Sequence, residues 1–275
     1  MTRHEYAHLD VFTDRPFGGN QLAVFMDGWG VSDAGMQAIA KELNLPETVF
    51  VAPPQKGGDH RLRIFTPSRE LPFAGHPTIG AAFFIAGGKD ADLRLEEGVG
   101  TLTVTVRDGF TEMEQPLPVF EAVHDRAAVL AQLALDQTDL VMSLPIEIGS
   151  SGNRFMFVPV KSIAAVRMAA PRALREAAYI FTTETAEKGS TTHGRMYAPW
   201  QGVAEDPATG SATGPLAAYL VRHGLSDGKR IVCEQGYEMG RPSTLYARVG
   251  GTRERITSVH VGGRCVRTGG GWIDL

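Results

Sequence analysis

The sequence predicts an α+β fold, and three observations carry that expectation. Strand-like segments recur at short intervals and outnumber helical ones. The helices do not alternate regularly with the strands, which argues against a doubly wound parallel sheet. Two long apolar segments, Gly75–Ala86 and Gly210–Val221, lie about half a chain apart.

The elements follow in order. Strands are expected at 8–12 and 21–26, separated by the turn Asp14-Arg15-Pro16-Phe17-Gly18-Gly19. A helix comes next, with Ser32 as its N-cap and Met36, Ile39, Ala40 and Leu43 recurring on one face. Strands at 48–52 and 61–66 precede the first apolar segment. Strands at 92–97, 101–107 and 110–115 follow it, with Arg107-Asp108-Gly109 as a hairpin turn. Pro116 and Pro118 soften the composition around 116–125, the expected crossing between halves. The second half opens with a helix at 125–135 and strands near 153–160, 178–184 and 193–199. After the second apolar segment come strands near 230–235, 244–249 and 256–268.

The two apolar segments can be laid on each other at an offset of 210 − 75 = 135 residues. Gly, Thr and Ala then coincide at the first, fourth and eighth positions, and an aromatic at the tenth. Both are apolar nearly all round, the signature of a helix buried on every side. The reading is two related lobes, each wrapping sheet around one central helix. Two ordinary core helices without kinship are the alternative.

Composition narrows the function. The chain has 275 residues, 43% of them apolar and 21% charged, as in an ordinary soluble globular protein, and its length suits two domains. With 27 Lys and Arg against 31 Asp and Glu, no basic excess is present to neutralise nucleic-acid phosphates. Cys233 and Cys265 are too few for a disulfide framework or a four-thiolate zinc site. No signal-peptide core and no membrane-length apolar run is visible, so a cytoplasmic protein is expected. His4, His8, His60 and His124 lack the close pairing of metal ligands. Gly28-Trp29-Gly30 and Gly269-Gly270-Gly271 lack a nucleotide fingerprint's setting, and no Gly-x-Ser-x-Gly elbow is present.

The chemistry is expected at the starts of the two apolar helices. A helix N-terminus offers unpaired N–H groups and partial positive charge to an anion. His76 stands at one start; Asp206, Thr209 and Ser211 stand at the other. Facing each other across a lobe junction, the two would make a pocket for a small anionic molecule. The plainer alternative makes Asp206 and Ser211 helix caps and His76 a surface histidine. Glu47 heads an apolar strand directly after the first helix. Partial burial there would raise its pKa and suit it to reversible proton transfer, whereas an exposed strand-end glutamate would do nothing.

Five blocks carry a resemblance to a known family. They are Gly18-Gly19-Asn20, Asn44-Leu45-Pro46-Glu47-Thr48, Thr66-Pro67 through Glu70-Leu71-Pro72-Phe73-Ala74-Gly75-His76-Pro77-Thr78, Glu205-Asp206-Pro207-Ala208-Thr209-Gly210-Ser211-Ala212, and Gln235-Gly236 through Met239-Gly240-Arg241-Pro242-Ser243. In order and nearly spanning the chain, they resemble the phenazine-biosynthesis isomerase (PhzF-like) family. That resemblance implies a diaminopimelate epimerase-like fold of two pseudo-symmetric lobes, each a curved, mostly antiparallel sheet around a central buried helix. The lobes would be 1–118 and 119–261, with the strand from 262–275 returning to the first. It also implies a homodimer without metal or organic cofactor, acting on a small carboxylate as a trans-2,3-dihydro-3-hydroxyanthranilate isomerase does. Glu47 matches the family's proton-carrying glutamate, and His76, Asp206 and Ser211 its other polar positions. Asn20 and the backbones of Gly75 and Gly210 match its ligand-binding turns. Gln21 departs from the pattern, since the family usually has proline there. Neither helix-start turn holds cysteine, so the opposed thiols of the epimerases of this fold are absent and one carboxylate is left to move the proton. An amino-acid epimerase or racemase, and a non-catalytic binding protein of the same fold, are the alternatives.

Overall fold

The computed structural model describes residues 1–199 and 202–275, and strands dominate it. The chain divides into two compact units, Met1–Glu114 with Gly262–Leu275, and Gln115–Val261. The first unit ends four residues before position 118 (118 − 114 = 4). Among the described residues, no helix is long and apolar enough to cross a membrane.

The first unit opens with β1 (Arg3–Val11), antiparallel to β2 (Asn20–Phe25). Helix α1 (Asp33–Leu43) then crosses to β3 (Glu47–Ala52), which runs parallel to β2. Ser32 caps α1 by accepting the Gly35 N–H, and Asn44 closes it in the left-handed conformation at φ 49°. Strand β4 (His60–Phe65) is antiparallel to β3 and to the short β5 (Glu70–Leu71). Helix α2 (Gly75–Ala86) leads to β6 (Ala91–Glu97), parallel to β4, and on to β7 (Gly100–Arg107) and β8 (Phe110–Gln115). Asp108 and Gly109, both at positive φ, make the two-residue turn between β7 and β8.

The second unit repeats this order. Strand β9 (Val119–Ala122) and helix α3 (Arg126–Leu133) lead in, and β10 (Glu147–Ser150) pairs with β9 and with β11 (Arg154–Pro159). Helix α4 (Ile163–Met168) crosses to β12 (Ala177–Thr182), parallel to β11. Strand β13 (Thr192–Ala198) is antiparallel to β12 and to β14 (Val203–Asp206). Helix α5 (Gly210–Arg222) leads to β15 (Ile231–Gln235), parallel to β13, then β16 (Ser243–Gly251) and β17 (Ile256–Asp274).

Each core is built on aromatic contacts. In the first unit Phe25 stacks on Phe50 at 4.9 Å and Phe65 meets Phe50 edge-on at 5.6 Å, beneath Met36, Ile39 and Ala40 of α1. In the second, Tyr219 of α5 packs on Phe157 and edge-on against Phe181, with ring centroids 6.1 and 5.5 Å away. Each such buried ring contributes roughly 1.5–3 kcal/mol by leaving water. Residues 75–82 of α2 are all buried, as is every residue of α5 except Ser211 and Arg222.

One expectation needs correction, and short elements join the expected ones. Within 116–125, Val119–Ala122 forms β9 against β10. The six residues of α4 are too few to show a periodic pattern. The last strand also runs to Asp274 rather than stopping near 268. Glycine is a poor strand former, but the Tyr6 ring lies over Gly271 and β1 supplies the hydrogen-bonding partner along the whole run.

Candidate active site

In the first unit the site begins with a break in the helix. Asn44 ends α1 and Pro46 cannot continue it, so the chain enters β3 at Glu47, opposite Leu22 of β2. The neighbouring residue on β2 is Gln21, and its carbonyl receives Nε2 of His76, from the first turn of α2, at 3.3 Å. The same Nε2 lies 3.3 Å from Oε2 of Glu47. The Gln21 carbonyl can only accept, so the proton of a neutral His76 sits on Nε2 and is donated to it. Burial pushes the His76 pKa down to about 3, against the opposing pull of the Gln21 carbonyl. The contact with Glu47 is therefore a close approach between a neutral imidazole and a carboxyl group, not an ion pair. Glu47 itself is mostly covered, with 17% of its side chain exposed.

Two glycines bring these parts close. Gly80 presses α2 onto the sheet: a Cβ there would lie 2.5 Å from Leu22 Cδ2 and 2.8 Å from Val11 Cγ2. Gly19, at φ +63°, turns the chain into β2 where any Cβ would meet the Val11 carbonyl oxygen at 2.3 Å. Asn20 follows, fully buried and opposite Val11.

In the second unit Asp206 ends β14, and its Oδ2 accepts the Thr209 hydroxyl at 2.5 Å. Thr209, not Ser211, is the N-cap residue of α5, and no side chain caps that helix from its own N-cap. Gln235 does so instead: its Oε1 accepts the Thr209 N–H at 3.0 Å, while its Nε2 donates to the Asp206 carbonyl at 2.7 Å. Capping by Asp206 and Ser211 is thus overturned, because a distant amide takes that position. Gly210 and Ser211 open α5 with N–H groups that have no partner inside the helix, and the Ser211 side chain is half-buried.

The structure therefore brings Glu47 and His76 into contact, with Gly75 beside them on the first turn of α2, and leaves Asn20 on the neighbouring strand. Asp206, Gly210 and Ser211 share one turn of the second unit. His76 is buried, at 5% exposure, rather than a surface histidine. Neither cysteine is poised for proton transfer: burial pushes Cys233 to about 11, the Thr192 hydroxyl opposing, and Cys265 up to about 12, the Phe12 backbone opposing. Glu97 escaped the sequence reading. It shares a strand face with Leu93 and Leu95 and is buried, so an acid at an apolar position of an alternating strand was the signal.

The description "Phenazine biosynthesis-like protein" belongs to the family model that matches residues 9–271. The chain belongs to that family. A phenazine biosynthesis-like relative from Pseudomonas aeruginosa, trans-2,3-dihydro-3-hydroxyanthranilate isomerase, is 42% identical over 94% of this chain and 95% of its own length. On that kinship this phenazine biosynthesis-like chain is an isomerase. The crystal structure of a PhzF-family phenazine biosynthesis protein from Bacillus anthracis superposes with a TM-score of 0.92 at 26% identity, covering all of both chains. A hydroxyproline epimerase from Agrobacterium vitis shares the fold alone, at TM-score 0.63 and 11% identity over 99% of this chain and 91% of that one.

Proposed function

We propose that the protein moves a proton within a small carboxylate substrate, with Glu47 as its single proton carrier and no cofactor. The observation that carries this reading is the Glu47–His76 contact at 3.3 Å with a neutral imidazole. The His76 Nε2–H donates to the Gln21 carbonyl, which fixes the neutral imidazole beside the Glu47 carboxyl group. Glu47 takes a proton from one substrate carbon and returns it to another on the same face, so no atom is gained or lost. The substrate's amino and hydroxyl groups are the natural partners of His76 and Asp206. Its carboxylate suits the N–H groups and hydroxyl at Gly210 and Ser211, with Gly75 and Asn20 as further contacts. By resemblance the working form is a homodimer.

The repeated topology supports one base over two. Glu47 is the first residue of β3, paired across the parallel ladder with β2. The first residue of β12, which holds the same place beside β11, is Ala177. An epimerase needs an acid/base on each face of its substrate, and the second unit offers no carboxylate at that place.

The substrate class follows the Pseudomonas relatives: trans-2,3-dihydro-3-hydroxyanthranilate is the first compound to test. Incubated in D₂O with the protein and followed by proton NMR, it should be consumed with deuterium uptake. Glu47→Gln should abolish both, and Ser211→Ala should raise KM while leaving kcat within about threefold. Unchanged exchange by Glu47→Gln removes Glu47 from the chemistry.

A further inference from the structure

Two neighbouring glutamates on β6 meet opposite environments, because successive strand residues point to opposite faces. The Glu96 carboxylate accepts the backbone N–H groups of Gln55, Lys56 and Gly58 at 2.6, 2.5 and 2.8 Å. Those bonds outweigh the effect of burial and hold its pKa below the usual range. Glu97 faces inward and is 6% exposed. Its Oε1 lies 2.6 Å from Oγ1 of Thr78, in the first turn of α2, and its Oε2 has no hydrogen-bond partner.

Thr78 decides the protonation of this group. Its Oγ1 is also 2.7 Å from the Ala74 carbonyl oxygen, and a hydroxyl has one hydrogen. A carbonyl can only accept. When Thr78 donates to Ala74, the second short contact requires a hydrogen on Glu97. The second unit holds a related arrangement with an amide. Arg61 faces Glu96 across the parallel pair of β4 and β6, and His193 faces Glu234 across that of β13 and β15. Glu234, like Glu96, accepts backbone N–H groups, from Ala186 and Glu187. The next residue is Glu97 in one unit and Gln235 in the other. Thr213 stands where Thr78 does and likewise donates to a carbonyl, that of Thr209, while Gln235 Nε2 donates to the Thr209 hydroxyl just before α5. An amide and a protonated carboxyl have nearly the same shape, and each can donate one hydrogen to a hydroxyl.

We infer that Glu97 is a positioning residue for the reaction, holding its proton at neutral pH and donating it to Thr78 so that Thr78 can fix the Ala74 carbonyl. The turn so fixed presents Gly75 and His76. The consequence for turnover rests on the isomerase reading; the proton on Glu97 does not. Burial pushes the Glu97 pKa up to about 8, opposed by the Thr78 hydroxyl. The surrounding charges leave the group alone. Lys56, Arg61, Arg63 and Glu70 line a cleft of about 390 Å³ at its edge, where Arg63 is held by Glu70 at 2.7 Å and by Asp33. Glu96 points to the other face, and His76 on α2 is neutral. When Glu97 ionises, the Thr78 hydrogen swings to it and the Ala74 carbonyl keeps only the longer bond from the Thr78 N–H, at 3.3 Å. The turn is then held less firmly.

The test compares wild type with Glu97→Gln, whose amide donates to Thr78 but does not titrate. An acid whose folded pKa lies above its unfolded value makes the native state bind the extra proton, so wild-type stability falls as pH rises from about 4.5 to about 8. The melting temperature of Glu97→Gln should therefore gain steadily on wild type between pH 5 and pH 8.5. With substrate, the wild-type rate should fall off on an alkaline limb near pH 8 that the variant lacks, its turnover at pH 6 staying within about threefold. A melting-temperature difference that is constant with pH overturns the inference, as does an alkaline limb shared by both proteins. Thr78→Val, which removes the hydroxyl through which Glu97 acts, should abolish the limb, and a limb that survives in Thr78→Val also counts against it. If no carboxylate is turned over, the isomerase reading fails while the melting series still decides the state of Glu97.

Discussion

His76 and His193 are the same side chain buried to opposite effect. His76 meets a carbonyl and one carboxylate, and burial wins, taking its pKa to about 3. His193 is fully enclosed between Glu234 on Nδ1 at 2.9 Å and Glu238 on Nε2 at 3.0 Å. Burial would lower it too, but the two carboxylates carry it up to about 9. The signs of linkage follow. Between pH 6.5 and 3 the unfolded state binds a proton at His76 that the native state refuses, so stability drops as pH falls, by about 1.4 kcal/mol per unit. The His193 contribution is full below pH 6.5 and is lost as pH rises through about 9. Urea unfolding should show it: His76→Gln should flatten the acid side of the stability curve, and His193→Gln the alkaline side. An acid slope unchanged in His76→Gln would mean that His76 is charged in the native protein. Neither protonation state was legible in the sequence, which places His76 at a helix start and carries no local sign of the carboxylates that meet His193.

Elements show what local patterning encodes. Helix α1 lies where its cap and its apolar spacing place it, because Ser32, Met36, Ile39 and Ala40 act within a few turns of one another. The turn at Asp108-Gly109 is equally local. Helix α2 has no such signature of orientation: with residues 75–82 all buried, no face is marked as the one that meets the sheet. Its contact with β1 and β2 is set instead by the absent side chain of Gly80. Gly80→Val would force Leu22 and Val11 aside, and overpacking of this kind costs about 1–3 kcal/mol. The urea midpoint should fall accordingly. Because Gln21 is Leu22's neighbour, the His76–Gln21 bond should lengthen as well, seen as a shifted imidazole resonance. A variant as stable as wild type with an unmoved His76 signal would show that Gly80 is not what seats α2.

The whole molecule is one topology used twice, joined by a strand that the two units share. Strand β17 begins in the second unit, and from Cys265 to Asp274 it pairs with β1, from Val11 back to Arg3. Cutting the chain after residue 261 strips β1 of that neighbour and exposes a row of unpaired N–H and C=O groups. Calorimetry of the truncated chain should lose the transition of the first unit and keep that of Gln115–Val261. A first unit that still melts cooperatively would show β17 to be dispensable to it. The sequence by itself determined the α+β class, the run of most strands and helices, and the helix starts at Gly75 and Gly210. Those rest on period, caps and turn residues that interact within a few positions of each other. The tertiary structure alone decided that His76 is neutral, that Gln235 rather than Ser211 caps α5, and that Glu97 and Glu96 part company. Each depends on a partner far along the chain, Gln21 for His76 at 55 residues and Thr78 for Glu97 at 19. Protonation follows the water and the dipoles that such partners exclude or supply, and no local pattern records them.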